Sequence, residues 1–380
     1  MMREQVRNWQ IASSIADVQA LEVEWQRLFQ SNPAHSPFQA WGWVTAWIRH
    51  LAASPELNVI CGRDEHDQLC YVLPLVVGPR NGTFDRCTYY VTGGYGPDCS
   101  DYIGPLRSPD LDDGLAGVTM EAIRRCIDPA CRIVLPALDP SGDLPERIAG
   151  RCRESGRIAR LLNDNVCPTV QLPESWDQYL AGLSSNFRSQ IRRHSRKIRK
   201  VPGISVRRIE STEAPQFAAE LMRLNRTRIS DKGNESSLED ERFRRFLADA
   251  VPALVNEKVA WMDAIIDGDN YIAAAFNMVF AGRVYYYMGG FEESASQLRP
   301  GTVLFAEAIK RSIEQGMTRY DFLRGAESYK YRWGGADVRT WQLTVYPDRP
   351  VRARAALAVD AMVSSLHAAA VRFREKWHKQ

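Results

Sequence analysis

One stretch constrains this chain more than any other: the aromatic strand Arg283-Val-Tyr-Tyr-Tyr-Met288, a loop, a helical run from Val303 to Gln315, and a second strand, Arg319-Tyr-Asp-Phe-Leu323. Strand, helix and strand within about forty residues form a parallel crossover unit, since parallel neighbours need a long connection. The punctuation agrees. Pro300-Gly301 stand where the helix begins and Gly316 where it ends. The loop from Met288 to Thr302 therefore brings backbone N–H groups to a helix N-terminus, with Arg299 beside them. That is a place for an anion, above all a phosphate. An ordinary crossover with a surface arginine is the competing reading.

The remaining segments fall into two runs of the same order. Helices are expected over Asp17–Gln30 and Phe38–Leu51, a hairpin over Leu57–Cys61 and Leu69–Val77, and a strand over Cys87–Thr92. A glycine-rich loop runs from Gly93 to Pro105. Helices at Leu111–Cys126 and Glu146–Glu154 then alternate with strands at Arg132–Leu135 and Ile158–Leu162. After Cys167-Pro168 the order recurs. Trp176–Lys200 reads as helix with a break at Ser184-Ser185, and a strand, two helices, a three-strand meander, the crossover and a strand over Val338–Val345 follow. A terminal helix from Pro350 has apolar positions at Ala355, Val359, Met362, Leu366, Phe373 and Trp377, a stripe that packs on the body. The fold class is α/β, in two mixed-sheet domains with a boundary near residue 170.

Composition supports two units. A chain of 380 residues holds about two domains. Residues 1–170 carry 16 Lys and Arg against 21 Asp and Glu, and the first lysine is Lys197. The remainder carries 33 against 25. All eight cysteines precede residue 170, with no C-x-x-C pair, and read as reduced core thiols rather than a zinc site. The histidines show no metal spacing, so no metal is expected. Apolar runs such as Tyr71–Val77 are too short to span a bilayer, and no charged-then-apolar leader opens the chain. A cytoplasmic protein is expected.

Three constellations can carry chemistry. Between Asp177 and Glu210 there is no acidic residue, and Leu183, Phe187, Ile191, His194 and Ile198 share one helix face. Arg188, Arg192, Arg196, Arg199 and Lys200 flank it, an arrangement suited to an anionic substrate. No aromatic platform or reading helix for nucleic acid accompanies it. The second is Asp321-Phe-Leu-Arg-Gly-Ala-Glu-Ser-Tyr-Lys-Tyr-Arg-Trp333, at the strand end where open α/β sheets bind ligands. A buried Asp321–Arg324 pair accounts for those two residues. Lys330, between Tyr329 and Tyr331, is expected at the cleft, facing Asp101. The third is Ser100-Asp-Tyr-Ile-Gly-Pro105, where Asp101 is a base, an anchor or a turn cap, and Tyr102 its neighbour.

These same runs resemble the CelD or BioF2-like acetyltransferases, tandem relatives of the GNAT fold encoded among cellulose and exopolysaccharide genes and distantly related to FemABX peptidyltransferases. The resemblance covers residues 15 to 345. It implies two GNAT-like domains, 1–170 and 171–350, and a C-terminal helix, 351–380. It implies acetyl-CoA or another acyl-CoA as co-substrate, lying along Met288, Gly289, Gly290 and Phe291 with its phosphates at Arg299, Gly301 and Thr302. Gln297-Leu-Arg-Pro-Gly-Thr302 only approximates the GNAT pyrophosphate pattern. The acceptor implied is a small molecule or sugar, with polysaccharide-synthesis machinery as partner. Lys330, Tyr329 and Asp101 would be catalytic; Arg188, Arg192, Tyr102, Arg324 and Arg332 would hold substrate. Aminoacyl transfer from charged tRNA is the first alternative. A catalytically silent protein binding an anionic glycan or nucleotide-sugar is the second.

Overall fold

A computed structural model describes residues 6–52, 56–78, 87–94, 99–230, 237–349 and 351–362. Its strands are β1 (Asn8–Ala12), β2 (Leu57–Arg63), β3 (Leu69–Gly78), β4 (Thr88–Val91), β5 (Leu106–Arg107), β6 (Arg132–Leu138) and β7 (Ala159–Gln171). They continue as β8 (Ile204–Arg208), β9 (Ala260–Asp267), β10 (Asn270–Phe280), β11 (Arg283–Phe291), β12 (Arg319–Asp321) and β13 (Ala336–Val345). All thirteen belong to one sheet, ordered β1-β2-β3-β4-β6-β13-β7-β12-β11-β10-β9-β8, with β5 against β3. The sheet is mixed. β4 pairs parallel to β6 across the helix Leu115–Cys126, and β11 pairs parallel to β12 across the helix Pro300–Glu314. Both crossovers are the units that the strand–helix–strand patterns predict.

The last strand of each run is exchanged. β13 lies between β6 and β7, while β7 lies between β12 and β13. Residue 171 is thus the end of β7, a strand held on both edges by residues of the second run. The ladder needs partners for every buried N–H and C=O, and here each run draws some from the other. The core is shared as well. Trp43, on the helix Trp41–His50, meets Phe246 at 4.6 Å and Tyr287 at 5.0 Å between ring centroids.

Several local expectations are met. The basic segment forms helices Trp176–Gly182 and Ser185–Ile198, broken where Ser184 accepts a hydrogen bond from Phe187 N–H. Its buried face is Phe187, Ile191, His194 and Ile198. Gly316 ends the crossover helix at φ +72°. At Gly290 an added Cβ would stand 2.3 Å from the backbone of Leu224 and Asn225, so the helix Ala214–Ser230 can approach β11 this closely only over glycine.

Others are corrected. Cys87 and Cys131 are joined in a disulfide at the start of the β4–β6 pair, rather than standing as reduced thiols. β12 stops at Asp321 because the chain turns: Leu323 takes φ +55°, and its N–H donates to Asp321 Oδ1 at 2.7 Å. The terminal helix is described over 351–362, where Ala353 and Ala356 are buried and Met362 is 59% exposed. Its packed face is therefore one residue out of phase with the stripe expected at Ala355, Val359 and Met362. Leu366, Phe373 and Trp377 lie outside the described residues, as does Pro350.

Candidate functional site

Two local facts open a gap in the sheet. β11 pairs with β12 only from Arg283 to Tyr285, then runs on to Phe291 with β10 as its one partner. At the same place the β10 ladder shifts register, with Phe276 opposite Met288 and Asn277 opposite Tyr286. Tyr287 is the extra residue, a β-bulge that bends β11 away and breaks its hydrogen-bond ladder. The space left is a cavity of about 460 Å³ walled by Tyr286, Phe305, Tyr320, Tyr329, Trp333 and Phe187. Phe305 is its hub, with ring centroids 4.5 Å from Tyr286 and 5.7 Å from both Tyr329 and Trp333.

Arg299, Pro300, Gly301, Thr302 and Arg332 form the mouth. Arg299 caps the helix Pro300–Glu314 in the left-handed region, φ +53°, and its carbonyl accepts from Thr302 N–H at 3.0 Å and Val303 N–H at 3.2 Å. Pro300 has no N–H, so the donor left for a ligand in that turn is Gly301. Arg332 lies over the Phe187 ring at 4.5 Å and donates to Gln190 Oε1 at 3.0 Å. Gly289, Gly290 and Phe291 line the cavity too, whereas Met288 does not.

A second polar cluster joins the two runs. Arg324 Nε donates to Asp101 Oδ1 at 2.9 Å, and Arg324 also donates to Ser100 O. Tyr102 Oη and Thr169 Oγ1 donate to Asp321 Oδ2 at 2.7 and 2.9 Å. The expected Asp321–Arg324 pair is therefore replaced by two pairings across the runs. Burial raises the Asp101 carboxyl above the usual range against the pull of Arg324. Burial likewise pushes Asp321 up to about 6, since its donors are neutral.

Lys330 is buried on the short helix Ser328–Arg332. Its Nζ donates to the carbonyls of Leu323, Arg324 and Gly325 at 3.1, 2.7 and 3.0 Å, with Glu327 Oε2 at 2.9 Å. It meets Asp101 only through Arg324, and it ties the 321–327 turn together. Of the basic helix, Arg188 donates to the carbonyls of Leu180 and Ala181, and Arg192 is exposed; neither lines the cavity. Sequence reasoning left out Phe187, Tyr286, Phe305, Ser328 and Trp333 as site residues. Only the aromatic strand and the flanking aromatics signalled them. Among the described residues no cluster of His, Cys, Asp or Glu could hold a metal, and no helix is long and apolar enough to cross a membrane.

Residues 185–331 match the family model described as an acetyltransferase (GNAT) domain. No curated protein matches the chain. Among solved structures, that of FemX is 12% identical, with a TM-score of 0.62, over 91% of this chain and 98% of the other. The C-terminal domain of a putative lysylphosphatidylglycerol synthetase from Agrobacterium fabrum is 12% identical, with a TM-score of 0.56, over 92% and 97%. The structure of L-PGS from Bacillus licheniformis is 11% identical, with a TM-score of 0.50, over 81% and 89%. At such identity these likenesses speak for the fold. The chain is an α/β protein whose second run carries the match to a GNAT domain.

Proposed function

We propose that this protein transfers an acyl group from acyl-CoA to an amine or hydroxyl acceptor. The observation that carries the reading is the aromatic cavity opened where β11 leaves β12, with Arg299 and the crossover helix N-terminus at its mouth. A thin apolar arm bearing phosphates at one end suits that shape. The acceptor nitrogen or oxygen attacks the thioester carbonyl, the C–S bond breaks, and the acceptor gives up a proton while the thiolate takes one. Backbone N–H groups at the Tyr287 bulge are the donors for the developing oxyanion. Tyr329, on the cavity wall, gives its phenol proton to the thiolate and recovers one from the acceptor through water. Asp101 and Lys330, each engaged elsewhere, position the 321–327 turn that carries Tyr329's helix. The resemblance to CelD or BioF2-like proteins supports acetyl as the acyl group and a sugar of an exopolysaccharide or cellulose precursor as the acceptor. An acyl-CoA donor goes with the cytoplasm, though the Cys87–Cys131 bridge argues for an oxidising setting.

Calorimetric titration with acetyl-CoA and CoA tests the donor. We expect binding at one site and at least about a tenfold loss in Arg299→Glu, which replaces attraction by repulsion at the mouth. Absence of heat with either ligand overturns the reading. A second reading, aminoacyl transfer from tRNA, has its own support. The exposed Arg192, Arg196 and Lys197 lead along one helix to the cavity rim, where Lys197 Nζ donates to Gln297 O at 3.2 Å. The resemblance of the sequence to FemABX peptidyltransferases points the same way. Affinity for tRNA falling steeply with salt, without CoA binding, selects that reading.

A further inference from the structure

Arg283 and Arg319 face each other in register on the parallel neighbours β11 and β12. Both line a separate cavity of about 230 Å³, together with Tyr285 and Asp321. Alternation along the strands puts this cavity on the opposite face of the sheet from the aromatic one: Tyr286 and Tyr320 line the latter, their neighbours Tyr285, Arg319 and Asp321 the former. Two like charges on adjacent strands repel and need counter-charge. Two carboxylates line the cavity with them, but neither closes on Arg319. Asp139 Oδ2 lies 3.7 Å from Arg283, and its Oδ1 accepts from Ser141 N–H at 2.7 Å. Asp321 is engaged by Tyr102, Thr169 and the Leu323 N–H. Among the described residues the Arg319 guanidinium has no hydrogen-bond or ion-pair partner, although the residue is half-buried.

We infer that this cavity binds a small organic acid, its carboxylate held by the Arg319 and Arg283 guanidinium forks. The fork geometry matches a carboxylate's two oxygens. Pro140, Val338 and the Tyr285 ring give the body of the acid an apolar wall, which a bare inorganic anion would leave unused. The space equals roughly seven or eight waters, enough for a molecule of benzoate size and too small for an acyl-CoA. The site lies at the junction of the two runs, with Tyr102 and Asp139 from the first and the two arginines from the second.

The test uses the full chain at constant ionic strength, titrated with pyruvate, benzoate and inorganic phosphate. A carboxylate should bind at one site with a dissociation constant of about 1 mM or tighter. Arg319→Met should weaken it by at least about tenfold without lowering the melting temperature of the unliganded protein, because the guanidinium has no internal partner to lose and its repulsion with Arg283 is relieved. Arg319→Lys, which keeps the charge and loses the fork, should fall between the two. Arg299→Glu, at the other cavity, should leave carboxylate binding as it was. Three results would overturn the inference: no carboxylate binding, binding that survives Arg319→Met, or binding of phosphate alone.

Discussion

Arg324 Nε donates to Asp101 Oδ1 at 2.9 Å, across 223 positions of sequence. Beside it, Tyr102 donates to Asp321, so two consecutive residues of the first run grip two neighbouring residues of the second. The Asp101 side chain is only 4% exposed and Arg324's 25%. Removing one partner strands a buried charge, which costs roughly 3–5 kcal/mol. Arg324→Met should therefore lower stability by about that amount in urea unfolding, and adding Asp101→Asn should recover part of it. Additive losses in the double variant would show that the two residues do not interact.

Lys330 offers a contrast between positioning and catalysis. Three carbonyls share its ammonium inside the turn. Hydrogen bonds to a charged group are each worth about 1.5–3 kcal/mol, so Lys330→Met should lower the melting temperature clearly as well as slowing transfer. An inactive variant that melts like the parent would put Lys330 in the chemistry instead.

Glu257 supplies a pH dependence. It sits where the helices Trp41–His50 and Glu241–Asn256 meet, and its Oε1 accepts from Gly42 N–H at 2.7 Å. Burial pushes its carboxyl from 4.5 to about 7, with Glu22 nearby adding to the rise. The folded state therefore holds a proton that the unfolded chain releases between those values. Its contribution to stability is full below about pH 4.5 and is lost as pH rises towards 7. Glu257→Gln should match the parent at pH 4.5 and be the more stable protein at pH 8. Parallel stability curves for the two would refute this.

The disulfide gives the last expectation. Cys87 and Cys131 are 44 residues apart, and closing a loop of that length restrains the unfolded chain by about 4 kcal/mol. A Cys87→Ala, Cys131→Ala protein should unfold at lower urea than the oxidised parent, with the reduced parent close to it. Equal midpoints before and after reduction would show that the bridge does not contribute.

Local chemistry was readable from residues alone wherever a short-range rule decides the outcome. Pro300 and Gly316 punctuate the crossover helix, Ser184 breaks the basic segment, and Phe187, Ile191, His194 and Ile198 fall on one face by helical period. Those features depend on neighbours within a few positions, so residue order is enough to specify them. It also determined the parallel crossover, and with it the sheet edge that carries the cavity. Which distant groups meet depends on how the whole chain packs. Asp321 and Arg324 are close in sequence and opposite in charge, yet the turn at Leu323 parts them, and each finds a partner in the first run. Lys330 reads as an ammonium at the cleft, facing Asp101, until the same turn folds three carbonyls onto it. The exchange of β7 and β13 has no local signature either, because an antiparallel edge accepts any strand of suitable pattern. Pairing choice over such distances is settled by the burial and hydrogen bonding of the whole sheet.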